Sequence, residues 1–111
     1  MIARTHYVAG ASAVAVALAA ALAAGAQSAA THTVIMEAVA FRPATITVNA
    51  GDAVVWTNKD AFPHTATAQD KSFDSGEIGV GKSWKLVAKK KGTFAYVCTY
   101  HPTMKGALVV K

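Results

Sequence analysis

From about residue 31 onward, apolar and polar residues alternate with a period of two, and turn-forming residues separate the alternating runs. This pattern predicts a series of short β-strands. The first predicted strand covers Thr33 to Val39, and the segment from Gln69 to Lys82, rich in Asp, Gly, Ser and Lys, predicts a loop. The predicted inward-facing positions of the later strands are Ile46 and Val48; Val54 and Trp56; Trp84, Leu86 and Ala88; Phe94, Tyr96 and Cys98; and Leu108 and Val110.

Several short strands in about 80 residues are typical of an all-β fold, either an antiparallel sandwich or a barrel. A domain of this size buries a modest core, and a metal that binds only the native state would stabilise it further. Met36 is predicted to lie in the core. The aromatic residues predicted to form that core are Phe41, Trp56, Phe73, Trp84, Phe94 and Tyr96.

The amino-terminal part of the chain has the layout of a secretory signal peptide. A short segment with Arg4 precedes an Ala/Val/Leu run from Val8 to Ala26, and small and polar residues follow. A retained membrane anchor is the competing interpretation, but alanine partitions weakly into hydrocarbon and favours a cleaved segment. We expect residues 1–30 to be the signal peptide, with Ser28 and Ala30 at the small-residue positions, and residues 31–111 to be the functional domain.

The charge of residues 31–111 is mildly basic, with nine lysines and one arginine against six carboxylates, a net charge of +4. The lysines are scattered and do not alternate with exposed aromatic residues, so the composition does not favour nucleic-acid binding. The tightest group, Lys89-Lys90-Lys91-Gly92, is interpreted as a solvated hairpin turn.

The chain contains a single cysteine, Cys98. Exported proteins normally pair their cysteines, so a lone thiol is buried and inert, forms a dimer, or binds a metal as the thiolate.

The segment Cys98-Thr99-Tyr100-His101-Pro102-Thr103-Met104 favours metal binding, because it places a thiolate, an imidazole and a thioether at steps of three residues. Soft sulfur donors select copper, and two histidines, one cysteine and a weak axial methionine define the blue-copper site. The second histidine is His32 or His64. His64 is the better candidate, because it follows a predicted strand that ends at Thr57. Zinc is disfavoured, because methionine is a poor zinc ligand and no second cysteine exists.

Four further segments accompany this motif: Phe41-Arg42-Pro43, Gly51-Asp52, Trp56-Thr57-Asn58 and Pro63-His64. Together with the terminal C-x-x-H-x-x-M motif they resemble the plastocyanin and amicyanin group of cupredoxins, and the short final spacing resembles that of amicyanins. The resemblance implies a Greek-key β-sandwich with one copper ion at one end. It also implies a one-electron shuttle of the bacterial periplasm. The implied metal ligands are His64, Cys98, His101 and Met104.

Two positions depart from the family pattern. Tyr100 stands where these relatives usually have proline, and a proline has no backbone N–H. We therefore hypothesise that the Tyr100 N–H donates a second hydrogen bond to the Cys98 sulfur, which would raise the reduction potential. Thr65 stands where amicyanins often have asparagine, and its hydroxyl could bond Thr99 to connect the two ligand loops.

The predicted ligand set leaves no exchangeable coordination position, which argues against an enzyme and favours electron transfer. A copper carrier or storage protein is the alternative. The expected partners are redox proteins that dock near His101, with Lys59 and Lys105 as a basic rim, and we expect a monomer without a membrane span after processing. His32 is interpreted as a surface residue. Cleavage after Ala29 would instead let the Ala30 amine and His32 bind a second Cu(II).

Overall fold

The computed structural model describes residues 28–111, together with residues 3 and 5. Most of the predicted signal peptide therefore lies outside the described residues. In the described part of the chain there is no helix long and apolar enough to span a membrane. The described strands are β1 (Thr31–Glu37), β2 (Ala40–Arg42), β3 (Thr45–Val48), β4 (Ala53–Asn58), β5 (Thr67–Ala68), β6 (Ser83–Val87), β7 (Gly92–Cys98) and β8 (His101–Val110).

The strands form two four-stranded sheets, with orders β2-β1-β4-β6 and β3-β8-β7-β5. The apolar residues of both sheets form one cluster, so the predicted all-β sandwich is confirmed. Two pairs, β1 with β4 and β3 with β8, are parallel, and the others are antiparallel. The period of two in the sequence indicates which face of a strand is buried, but not which strand lies beside it.

Two local predictions are wrong. The first predicted strand covers Thr33 to Val39, but β1 ends at Glu37, because Ala38 and Val39 adopt positive φ values in a turn. The segment from Lys89 to Gly92 is exposed, but it is not a hairpin turn, because β6 and β7 belong to different sheets. It is a crossing between the sheets, and Gly92 adopts a φ of 144°, a value that residues with a side chain rarely adopt.

The centre of the core is aromatic. Trp56 is fully buried and packs against Phe73, Trp84 and Tyr96, with ring centroids 5.8, 5.5 and 5.6 Å away. Such pairs contribute about 0.5–1.5 kcal/mol each beyond the burial of apolar area. Five of the six predicted aromatic core residues are buried, and so is Met36. Trp84 is only partly buried, because it lies on the edge strand β6.

The hydrogen-bonded framework starts at Ala30. Its N–H donates to Oδ1 of Asp52 over 2.9 Å, and its carbonyl accepts the Ala53 N–H over 2.9 Å. Asp52 Oδ2 accepts the Asn49 N–H and contacts Nε2 of His32. These contacts fix the start of β1 beside β4.

Candidate metal centre

Cys98 and His101 lie at the junction of the last two strands. Cys98 ends β7, His101 begins β8, and the two residues are paired across the turn at Thr99 and Tyr100. The strand register shifts between Val97 and Cys98. Such irregularities re-aim side chains, so the end of β7 can direct the Cys98 sulfur toward the loop that follows β4.

His64 comes from that loop. It forms a bridge with Ile78 through two main-chain hydrogen bonds of 3.1 and 2.7 Å. Its Nδ1 lies 3.6 Å from the Cys98 sulfur, and its ring centroid is 5.3 Å from that of His101. Met104, on β8, lies in the same buried cluster as Cys98. The structure thus brings these candidate ligands to one end of the sandwich.

The donor separation suits a shared ion. Metal–sulfur and metal–nitrogen bonds of about 2.3 and 2.0 Å at a tetrahedral angle place the two donors about 3.5 Å apart. The observed 3.6 Å between His64 Nδ1 and Cys98 Sγ agrees with this value. His64 and Cys98 are fully buried, Met104 is 2% exposed, and His101 is partly exposed. Three of the four residues are therefore shielded from water, and one reaches the surface.

The Cys98 sulfur accepts one main-chain hydrogen bond, from the Thr65 N–H over 3.3 Å. The hypothesised bond from the Tyr100 N–H to this sulfur does not form in the part of the chain that the structure describes. The Tyr100 side chain instead turns outward, and its hydroxyl donates to Glu77 Oε1 over 3.2 Å. The sequence does not reveal the Thr65 bond, because a backbone N–H is common to nearly every residue type.

The predicted connection between the two ligand loops is confirmed. The Thr65 hydroxyl accepts the Thr99 N–H over 2.9 Å and lies 3.2 Å from the Thr99 hydroxyl. It is also 3.0 Å from the hydroxyl of Thr67. One buried side chain therefore joins the loop that contains His64 to the turn after Cys98.

Asp60 is a site residue that the sequence did not indicate. Its Oδ2 lies 2.7 Å from Nε2 of His64, the ring nitrogen that points away from the sulfur. Desolvation alone would raise the pKa of Asp60, but hydrogen bonds from His64 and from the N–H groups of Val39 and Ala38 outweigh it and lower the pKa. The carboxylate is thus held in its charged form beside His64. Its spacing of four residues before His64 was the available signal.

The surface beside His101 is largely apolar. Phe62 is 40% exposed, and its ring centroid lies 5.4 Å from that of His101. Ala61, Pro102 and Thr103 are exposed as well. Lys59 and Lys105, the residues of the predicted basic rim, are also exposed.

His32 lies elsewhere. It is on β1, and its Nε2 is 2.9 Å from Asp52 Oδ2. A cavity of about 270 Å³, lined by residues such as Leu86 and Val110, is also separate from the ligands. It lies near the end of the β7–β8 pair where Gly92 meets Val110, whereas Cys98 meets His101 at the other end.

Comparison with known proteins places this arrangement in a family. The model of the cupredoxin-like domain matches residues 10–110. This chain belongs to the cupredoxin-like family.

Individual relatives agree with this cupredoxin-like assignment. Amicyanin-alpha of Methylorubrum extorquens is 33% identical over 76 residues, which cover 64% of each chain. The chloroplastic plastocyanin of Tetradesmus obliquus is 32% identical over 87 residues, 67% of this chain and 60% of the relative. The match thus spans under two thirds of the length of either relative. A solved structure of a reduced amicyanin mutant superposes with a TM-score of 0.68 at 27% identity, covering 73% of this chain and 82% of the other.

The residues of this cupredoxin-like site fit a single copper ion. Two imidazoles, a thiolate and a thioether are the donor set of a blue-copper centre, and the two sulfur donors select copper over zinc. The Thr65 N–H bond to sulfur and the Asp60 bond to His64 are the supporting contacts that such ligands usually receive.

Proposed function

We propose that this protein is a one-electron carrier in which His64, Cys98, His101 and Met104 bind one copper ion. The observation that supports it best is the 3.6 Å approach of His64 Nδ1 to the Cys98 sulfur at the buried end of the sandwich. When bound, the copper exchanges one electron between Cu(I) and Cu(II).

The protein's own residues keep the structural change small during this exchange. The Thr65 hydroxyl and the Thr65 N–H connect the two ligand loops through their bonds to the Thr99 N–H and the Cys98 sulfur. The burial of His64, Cys98 and Met104 excludes water from the donors. A rigid, dry site with a weak axial ligand suits both oxidation states, and it leaves no open position for a substrate. We therefore infer that the protein is not an enzyme.

Visible spectroscopy tests the proposed ligands. The Cu(II)-loaded protein should show the intense blue thiolate-to-copper band, and Cys98→Ser should abolish it. Ala88→Ser is the matched control, because Ala88 is a small buried residue near the opposite end of the core. A colourless wild-type protein, or a Cys98→Ser variant that stays blue, would contradict the proposal.

The copper carrier or storage alternative differs in ion exchange. A carrier presents its ion to partners, whereas here only His101 among the four ligands is partly exposed. We expect the protein to keep its copper through many redox cycles and to release it only slowly to a Cu(I) chelator. Rapid removal by a stoichiometric chelator would favour the carrier function.

The electron is expected to enter and leave through His101, with redox proteins docking on the patch around Phe62. Small apolar patches suit partners that must associate and separate quickly. Self-exchange between oxidised and reduced copies, measured by NMR, tests this without a known partner. Phe62→Lys should slow self-exchange, whereas Val87→Lys should not, because Val87 is equally exposed but lies on β6 at the cavity end. Equal self-exchange rates in the two variants would contradict the assignment of His101 and the surrounding patch as the site of electron entry and exit.

We further propose export to the periplasm and removal of the leader. The contacts of Ala30 with Asp52 and Ala53 favour a cut before Ala30 over the predicted cut after it, because the later cut would remove both hydrogen bonds. A cut after Ala29 would leave the Ala30 amine beside Asp52, and His32 is bonded to the same carboxylate. Intact mass of the mature protein identifies the cut, and a mass beginning at Thr31 would contradict this preference.

A further inference from the structure

The Asp60 carboxylate makes three hydrogen-bonding contacts with two parts of the fold. Its Oδ1 accepts the Ala38 N–H over 2.7 Å, and its Oδ2 accepts the Val39 N–H over 3.0 Å. The same Oδ2 lies 2.7 Å from Nε2 of His64. One side chain therefore joins the connection between β1 and β2 to a candidate metal ligand.

The connection between β1 and β2 is an unusual turn for its sequence. Glu37 pairs with Ala40, so Ala38 and Val39 form a two-residue hairpin loop, and their φ values are 53° and 56°. Two consecutive residues in the left-handed backbone conformation define a type I′ turn, which usually contains Asn-Gly. A β-branched residue such as Val39 is strained in this conformation. Both turn N–H groups point at Asp60, so the carboxylate compensates a conformation that the turn residues themselves disfavour.

The position of Asp60 is fixed from the main-chain side as well. Its N–H donates to Asn58 Oδ1 over 2.9 Å, and the Lys59 N–H donates to the Met36 carbonyl over 2.9 Å. Asn58 itself is fully buried and donates to the Phe62 and Ile78 carbonyls. The carboxylate therefore has little freedom to follow His64 if the imidazole moves.

We propose that Asp60 is a positioning residue that selects the tautomer and orientation of His64, and that the strained Ala38-Val39 turn holds Asp60 in place for this role. The inference rests on the proposed copper function. Because an ionised carboxylate can only accept hydrogen bonds, His64 Nε2 must be the donor of its contact with Asp60. The lone pair of Nδ1 is then free and faces the Cys98 sulfur at 3.6 Å, where a metal ion would bind. The negative charge of Asp60 also makes the Nδ1 lone pair a stronger ligand for a metal ion, and this favours Cu(II) over Cu(I).

The copper-free wild-type protein provides the first test. Nitrogen-15 NMR of the His64 ring above about pH 8, where histidine is normally neutral, should show a proton on Nε2 and none on Nδ1. A proton on Nδ1 would overturn the proposal. This measurement involves no copper, so it separates the failure of the Asp60 inference from the failure of the copper function, which the absence of a blue band would reveal.

The second test is Asp60→Asn, which keeps the size of the side chain but replaces one acceptor oxygen with an NH₂ group. In either orientation this NH₂ group, which is a donor, meets another donor. It faces the Ala38 N–H in one orientation, and the Val39 N–H and His64 in the other. We expect copper affinity to fall about 10- to 100-fold, as for other partners of ligand histidines. The potential should rise by about 59 mV for each tenfold loss of Cu(II) relative to Cu(I) affinity.

The matched control is Asp70→Asn, which removes the same charge from an exposed carboxylate bonded to the Ser72 N–H. It should leave both copper affinity and potential unchanged. If Asp60→Asn behaves like the wild type, or if both variants shift the potential equally, Asp60 does not position His64. If Asp60→Asn does not fold, the tautomer of the wild-type protein decides the question.

Discussion

Replacing Thr65 by valine tests whether its hydroxyl joins the two ligand loops. Valine has nearly the same shape but no hydroxyl, and Thr65 is only 3% exposed, so the substitution removes hydrogen bonds and little else. The lost contacts are the 2.9 Å bond from the Thr99 N–H and the hydroxyl contacts to Thr99 and Thr67 at 3.2 and 3.0 Å.

The magnitude follows mainly from the Thr99 N–H, which loses its acceptor. Since this donor is only part-buried, leaving it unpaired costs about 1–1.5 kcal/mol, and the part-buried hydroxyl pairs contribute about 0.5 kcal/mol more. We therefore expect the free energy of unfolding to fall by about 2 kcal/mol. With a urea dependence of about 1 kcal/mol per molar for so small a domain, the unfolding midpoint should fall by about 2 M.

Urea unfolding of the copper-free protein is the suitable assay, because copper bound only to the native state would add stability of its own. Thr47→Val is the control, since Thr47 is an exposed strand residue that undergoes the same chemical change. Copper-loaded Thr65→Val should stay blue, because the Thr65 N–H bond to the Cys98 sulfur belongs to the main chain. An unchanged midpoint for Thr65→Val, or an equal decrease for Thr47→Val, would refute the reasoning.

Three further substitutions probe the rest of the fold. Gly106→Ala should lower the free energy of unfolding in urea by about 1–3 kcal/mol, because its Cβ would clash with Cζ of the fully buried Tyr96; unchanged stability would mean that the ring has room to move. The pKa of Asp52 is lowered to about 2 by hydrogen bonds from Ala30 and other groups, so its stabilisation is present above about pH 4 and is lost as the pH falls toward 2. The midpoint of thermal unfolding should therefore depend less on pH over this range in Asp52→Asn than in the wild type. A midpoint that falls as steeply with pH in the variant would contradict the role of Asp52. Val39→Gly should raise the free energy of unfolding in urea by about 1 kcal/mol, because glycine adopts the left-handed conformation without strain and keeps the N–H bond to the Asp60 carboxylate. A less stable variant would contradict the argument that Val39 is strained.

The last two strands show what local sequence determines. Alternation placed Phe94, Tyr96 and Cys98 on one face of β7, and all three are buried. Because a short turn separates Cys98 from His101, the two residues are neighbours in any fold that pairs these strands. The soft donors in this segment also specify copper chemistry without reference to the rest of the molecule.

Contacts between distant residues could not be derived in the same way. His64 is 34 residues from Cys98, and only its resemblance to a family pattern and its place after a strand favoured it over His32. The Tyr100 hypothesis failed, because the direction of a backbone N–H depends on the turn and the residue type does not reveal it. The parallel pairing of β1 with β4 likewise has no signature in the alternation of either strand.

The sequence by itself therefore determined most of the longer strands, their buried faces and the donor atoms of the terminal motif, because these depend on residues a few positions apart. Only the tertiary structure decided which N–H group bonds the cysteine sulfur and that Asp60 connects a strained hairpin to His64. Those contacts are set by how the two sheets and their loops meet in space, and no local periodicity encodes them.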